Sequence, residues 1–98
     1  MKVEFSDKDL DRLEVDANFN GGHSRQIVKL YRKRMQAIRA ANDLRPLYAM
    51  KSLHFEKLSG DRQHQRSLRL NNQWRLIVEV IEADSETVVR IVEIVDYH

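Results

Sequence analysis

The sequence predicts an α+β domain, an N-terminal strand and two helices followed by an antiparallel sheet. Three observations carry this prediction. Apolar residues recur at helical spacing over residues 23–41, the spacing changes beyond the only proline, Pro46, and three β-rich runs then follow at short intervals. A chain of 98 residues forms one small domain, 1–98, with a modest core that suffices without disulfides.

The elements follow in order. Residues 2–5 read as a short strand. Ser6 then offers a helix cap, with Asp9 three residues on as a capping-box variant and Phe5 and Leu10 at staple positions. The helix over 7–18 carries Leu10, Leu13 and Ala17 on one stripe and is otherwise acidic and polar. Residues 18–22 end it, with Asn20-Gly21-Gly22 a flexible connection too short to cradle a nucleotide phosphate. Over 23–41, Ile27, Leu30 or Tyr31, Met35 and Ile38 form the apolar stripe while basic residues take the other faces. Asn42, Asp43 and Pro46 close this second helix. Residues 48–58 suit an extended segment, and residues 59–62 a turn. Residues 65–70, 74–81 and 87–95 are three strands, linked by 71–73 and by the acidic stretch 82–86. The last run is apolar on both faces, which predicts a strand with neighbours on both sides, and the first strand is expected to join the same sheet.

Pairing the first two β-runs is informative. A three-residue turn at 71–73 sets Leu70 against Trp74 and Leu68 against Leu76, apolar against apolar, whereas a two-residue turn sets Leu68 against Arg75. The better register places Arg69 directly across from Arg75. Like charges facing each other across a strand pair are destabilising, so the pair points to a compensating anion, and guanidinium suits phosphate. The plainer alternative is that both side chains splay into water or onto Glu79 or Glu93.

Charge is segregated along the chain. Residues 1–22 hold three Lys/Arg and six Asp/Glu, residues 23–75 thirteen and three, and residues 76–98 one and six. A central segment this basic is the footprint of a polyanion partner, although solvated cations on a helix face produce the same composition. The absence of cysteine excludes disulfides and thiolate metal sites, and fits a reducing compartment. No apolar run reaches membrane-span length, and the first residues lack a signal-peptide core, so a soluble cytoplasmic protein without a membrane partner is expected. None of the four histidines has metal-ligand spacing, so neither a metal nor another cofactor is expected.

The chain ends on Asp96-Tyr97-His98 directly after the last predicted strand. Histidine can serve as general acid or base, tyrosine can donate a proton or stack on a base, and aspartate can orient an imidazole. With two arginines these make a phosphodiester-cleaving set, while an ordinary exposed terminus is the alternative. His54 and His64 flank the 59–62 turn and can touch RNA or remain loop histidines. Arg62 can meet phosphate or close the turn through Asp61. Trp74 reads as core through its pairing with Leu70, with base stacking the alternative.

The run FEKLSGDRQHQRSLRLNNQWRLIVEV, followed by VEIVDYH, resembles the HigB-type toxins of the RelE/ParE superfamily, the toxic halves of bacterial toxin–antitoxin pairs. The matching elements are Leu-x-Gly-Asp-Arg at 58–62, Ser-Leu-Arg at 67–69, Asn-x-Gln-Trp-Arg at 71–75 and the terminal Asp-Tyr-His. The resemblance implies a small microbial-ribonuclease-like domain that cuts messenger RNA on the translating ribosome, without metal, by activating the ribose 2′-hydroxyl. It implies a cognate antitoxin of helix-turn-helix, HigA type. Arg75 matches the arginine that contacts the scissile phosphate, and Asp96, Tyr97 and His98 match the terminal catalytic triplet. Arg69 is carried by the pairing argument alone. Some relatives have a catalytic lysine immediately before the Gly-Asp pair, where this chain has Ser59. Lys57, two residues earlier, is a candidate substitute or a solvated loop lysine; Glu56 stands where such relatives keep a histidine. The same superfamily includes ParE-like inhibitors that bind DNA gyrase without catalysis, and the Ser59 departure also suits a weakened toxin acting mainly as an antitoxin partner.

Overall fold

The computed structural model describes residues 1–96. The elements are β1 (Lys2–Phe5), α1 (Lys8–Val15), α2 (Arg25–Ala40), α3 (Arg45–Ala49), β2 (Glu56–Lys57), β3 (Gln65–Arg69), β4 (Trp74–Ala83) and β5 (Glu86–Asp96). The five strands form one sheet in the order β1-β5-β4-β3-β2. It is antiparallel except that β1 runs parallel to β5, so the antiparallel expectation is amended at one edge. A parallel neighbour needs a long crossover, and the remainder of the chain supplies it.

The helices cover one sheet face. Ile27, Tyr31, Met35 and Ile38 of α2 and Leu10 and Leu13 of α1 meet Leu68, Leu76, Val78, Val89 and Ile91 in a single core cluster. Of the two candidates for the α2 stripe, Tyr31 is fully buried and Leu30 only partly. The predicted three-residue hairpin register is present: Leu68 pairs with Leu76, Arg69 with Arg75, and the Leu70 amide donates to the Trp74 carbonyl at 2.9 Å.

In β5 the apolar residues recur every third position rather than every second. Strict alternation from Ile91 would send Glu93 inward and Ile94 outward. The register instead skips Val92, pairing Val78 with Ile91 and Ile77 with Glu93, and this bulge brings Ile94 against the core and leaves Glu93 exposed.

Three expectations are corrected. Asp7, not Ser6, caps α1, accepting from the Leu10 amide at 2.9 Å, because the Ser6 hydroxyl donates to the Val92 carbonyl at 2.7 Å, beside the bulge. Pro46 does not merely close α2. It lies in the first turn of α3, where its missing N–H leaves no hydrogen bond unmade, so residues 45–49 are helical and the extended stretch shrinks to β2. α1 is also shorter than its periodicity suggests. It ends at Val15, where Arg32 of α2 donates through Nε to the Leu13 carbonyl at 2.9 Å and through Nη2 to the Asp16 carbonyl at 2.8 Å.

α1 is further held by Arg39, which grips both carboxylate oxygens of Glu14 at 2.7 and 2.8 Å, and by the Tyr31 hydroxyl, which donates to the Leu10 carbonyl at 2.7 Å in the core. Burial pushes the Tyr31 phenol well above its ordinary value of 10.0. The neutral phenol is therefore favoured by folding, and its contribution is intact below that value and falls as pH rises above it. Tyr31→Phe removes the buried hydrogen bond to the Leu10 carbonyl, which keeps its helical partner, and is expected to lower the unfolding free energy by about 1 kcal/mol in urea denaturation. Alkaline titration of phenolate absorbance should show one tyrosine that ionises only as the protein unfolds; its titration in the native state would contradict this burial.

Candidate functional site

The sheet face turned away from the helices carries Ser67 and Arg69 of β3, Arg75, Ile77 and Glu79 of β4, and Arg90, Glu93 and Val95 of β5 by strand register. Its two ends differ electrically. Toward β1, Arg90 lies 3.3 Å from Glu4 and 3.4 Å from Glu79, and Glu79 also meets His64 at 3.1 Å, so acids and bases alternate across the strands. The other end holds the Arg69–Arg75 pair.

The hairpin link builds that end. Asn71 accepts through Oδ1 from the Gln73 amide at 2.9 Å and the Trp74 amide at 2.8 Å, which holds the link at three residues. Asn72 accepts from the Arg69 guanidinium through its Oδ1. Gln73 donates through Nε2 to Asp96 Oδ2 at 3.0 Å, joining the end of β5 to the hairpin. Asp96 is the register partner of Trp74, immediately before Arg75, so Arg69, Arg75 and Asp96 share one end of the sheet.

Arg75 reaches across β3. Its Nη1 donates to Ser67 Oγ at 3.2 Å and to the His54 carbonyl at 3.4 Å. Ser67 is the one buried polar residue among those described. His54 holds a left-handed backbone with φ of 45°, unusual for a residue with a side chain, at the end of the short 3₁₀ turn Lys51–Leu53. On the other side, Arg34 of α2 donates through Nε to the Arg69 carbonyl at 2.8 Å. That carbonyl lies past the end of β2, which pairs only with Arg66 and Ser67. Burial, and then the Arg69 charge, depress the pKa of Arg34. Three guanidiniums thus gather at one sheet end. Among the described residues Arg69 has no carboxylate within ion-pairing distance; Glu79 is engaged by Arg90 and His64 instead.

The remaining candidates divide. His54 contributes its backbone to Arg75. His64 sits on Glu79, whose strand partner Gln65 is four residues from Arg69, roughly 13 Å along the strand. Arg62 donates to the Gln65 side chain at 2.8 Å rather than to Asp61. Lys57 pairs with Arg66, the register position that shares the face of Leu68, so strand alternation turns it away from Arg75, while Glu56 pairs with Ser67. Trp74 is half-buried against the core, with the His23 ring edge-on at 6.1 Å. Tyr97 and His98 lie outside the described residues. Ser67 and Arg34 were not singled out from sequence. Ser67 was accessible from the hairpin register, which makes it the diagonal neighbour of Arg75, whereas Arg34 needed the packing of α2. Among the described residues no three His, Asp or Glu side chains cluster as a metal site, and no helix is long and apolar enough to cross a membrane.

Residues 3–98 match the family described as the RelE-like toxin HigB of type II toxin–antitoxin systems. A comparison with curated protein sequences found no match. Among solved structures the chain is similar to a YoeB/ParE toxin from Agrobacterium tumefaciens, with TM-score 0.58 and 20% identity over 100% of this chain and 99% of the other; the likeness concerns the fold.

Ser67→Ala removes one of the hydrogen bonds that hold Arg75, with little change of volume. It is expected to lower the unfolding free energy by about 1–2 kcal/mol and to move the Arg75 Nε–H NMR resonance toward that of a freely rotating arginine. An unmoved resonance in a folded variant would show that Ser67 does not hold this side chain.

Proposed function

The chain belongs to the RelE-like HigB toxins of type II toxin–antitoxin systems, and from that premise we propose that it is a ribosome-dependent endoribonuclease that cleaves messenger RNA and arrests translation and growth. Membership of a type II system implies a cognate antitoxin; we propose one of the helix-turn-helix, HigA type, acting with the toxin in the cytoplasm.

The observation that carries the nuclease reading is the Arg69–Arg75 pair at the sheet end that also holds Asp96. Two arginines at one register position of a strand pair suit a phosphodiester, whose charge and paired oxygens match the hydrogen-bond geometry of guanidinium. In the proposed reaction the ribose 2′-hydroxyl loses its proton and attacks the adjacent phosphorus. The P–O5′ bond breaks, leaving a 2′,3′-cyclic phosphate and a protonated 5′-hydroxyl on the departing strand. Arg75, directed by Ser67 and the His54 carbonyl, stabilises charge developing on the non-bridging oxygens, and Arg69 holds the substrate phosphate. His98 acts as general acid or base, Tyr97 stacks on a nucleotide or shares the proton transfer, and Asp96 orients its neighbours. Arg62, His54 and His64 are proposed as outer RNA contacts. No step calls on a metal ion or other cofactor.

A second reading has one specific observation in its favour. Because Lys57 pairs with Arg66 and Ser59 occupies the position of the relatives' lysine, a cation is lost from beside the reacting phosphate. That favours a slower toxin that depends more on Arg75 and the chain end. A ParE-like gyrase inhibitor, the non-catalytic alternative, gives no chemical reason for an Arg75 and Asp-Tyr-His combination.

Primer extension on a reporter mRNA in a reconstituted translation system tests the proposal. Wild type should cut only with ribosomes present, leaving 5′-hydroxyl ends. Arg75→Ala and deletion of His98 should each reduce cutting at least ~100-fold while the far-UV spectrum is retained. Undiminished cutting by both variants would overturn the assignment of the site, and growth arrest without any cutting would move the account to gyrase, read by a supercoiling assay.

A further inference from the structure

A concavity lies away from the arginine pair. It encloses about 640 Å³ between the α1–α2 connection and the first turns of α2. One wall is a stripe of cations at four-residue spacing, Arg25, Lys29 and Lys33, each step a rise of about 6 Å along the helix. No lining residue is acidic.

The basic residues of α2 are not equivalent. Arg32 closes the end of α1, Arg39 is held by Glu14, and Arg34 supports β3. Among the described residues Arg25, Lys29 and Lys33 meet no carboxylate within 4.0 Å. Like charges four apart on a helix destabilise it. The stripe therefore carries an electrostatic cost that no carboxylate within 4.0 Å offsets among the described residues, and an external polyanion would offset it.

The groove also leads somewhere. His23 lines it and meets Trp74 edge-on at 6.1 Å. Trp74 is the strand partner of Asp96 and precedes Arg75 in β4, so the His23 edge of the groove lies against the strand that carries Arg75. We propose that it binds the sugar–phosphate backbone of single-stranded RNA, as a continuation of the strand whose phosphate lies at Arg69 and Arg75. The direction of the strand rests on the nuclease reading of that sheet end; the binding itself does not. A cation at each helical turn steps along an extended strand as its phosphates do, and the Asn18 and Asn20 amides can pair with ribose hydroxyls and base edges. An acidic peptide fits less well, because peptide anchors need an apolar floor and one face of Phe19 is already covered by the Arg12 guanidinium at 4.2 Å.

The test is fluorescence anisotropy with a labelled twelve-nucleotide oligouridylate over a series of KCl concentrations, using wild type, Lys29→Gln/Lys33→Gln, and Lys2→Gln/Lys8→Gln as a control of equal net charge. The α2 variant should bind at least ~10-fold more weakly at low salt, and its slope of log affinity against log salt should be shallower by about 1.4, the loss of two single-strand phosphate contacts. The control should stay within ~2-fold of wild type. Equal affinity and slope for the α2 variant and wild type would overturn the proposal. So would equal loss in the control, or binding of a labelled oligoglutamate at this groove as tightly as the RNA. If the groove variant binds RNA normally while cutting still requires His98, the groove proposal fails and the nuclease reading stands. If the groove variant loses RNA binding while wild type cuts nothing, the groove stands and the nuclease reading fails.

Discussion

The length of the link between β3 and β4 is the constraint on which the rest of the sheet depends. Asn71 holds it at three residues by accepting from two successive backbone amides, those of Gln73 and Trp74. Side chains alternate along a strand, so shortening the link by one residue would set Leu68 opposite Arg75 and reverse the assignment of faces. With three residues, Leu68 and Leu76 meet the helices, and Ser67, Arg69 and Arg75 all face the other way. The same link supplies Asn72 to Arg69 and Gln73 to Asp96, so one short turn sets the register and furnishes the margin of the candidate site.

A second device sets the phase of β5. Without the bulge at Val92 the strand would bury Glu93, and the residues beyond it would exchange faces, Asp96 included. The bulge also receives Ser6, whose amide and hydroxyl bind the Ile91 and Val92 carbonyls and lead β1 into α1. Turn and bulge together determine which side chains of β4 and β5 stand side by side at the functional end of the sheet. Both are local, and both act through the two-residue period of a strand.

Charge is partitioned by packing rather than spread evenly. The acidic N-terminal and C-terminal segments do not blanket the basic centre: Glu4 and Glu79 close around Arg90, and Glu14 takes Arg39. Arg32 and Arg34 satisfy backbone carbonyls. Among the described residues Arg69 at the sheet end and Arg25, Lys29 and Lys33 along the α2 groove meet no carboxylate within 4.0 Å, and the His23 edge of that groove lies against Trp74. A net charge of +2 conveys little of this, because composition averages over pairs that neutralise each other.

The α2 stripe, the three long strands and the Arg69–Arg75 opposition could be read from the chain because each rests on a period or on a turn of countable length. The bulge left a trace as well, in apolar residues recurring by threes, although alternation alone did not say where the extra residue would fall. The helix at Pro46 is not legible in the sequence because proline ends one helix and begins another with equal ease, and the burial of Leu47 decides between them. Ser6 lost its capping role to Asp7 because its hydroxyl had a partner 86 residues away. Lys57 looked available beside Ser59 until pairing with Arg66 set its direction. By itself the sequence determined α2, the last three strands, the hairpin register and the segregation of charge, all consequences of neighbours within a few residues. Which guanidinium is held by Ser67, which by a strand-edge carbonyl, and which is left facing a groove was decided only in the tertiary structure, because those partners lie far apart along the chain and meet only when the helices close on the sheet.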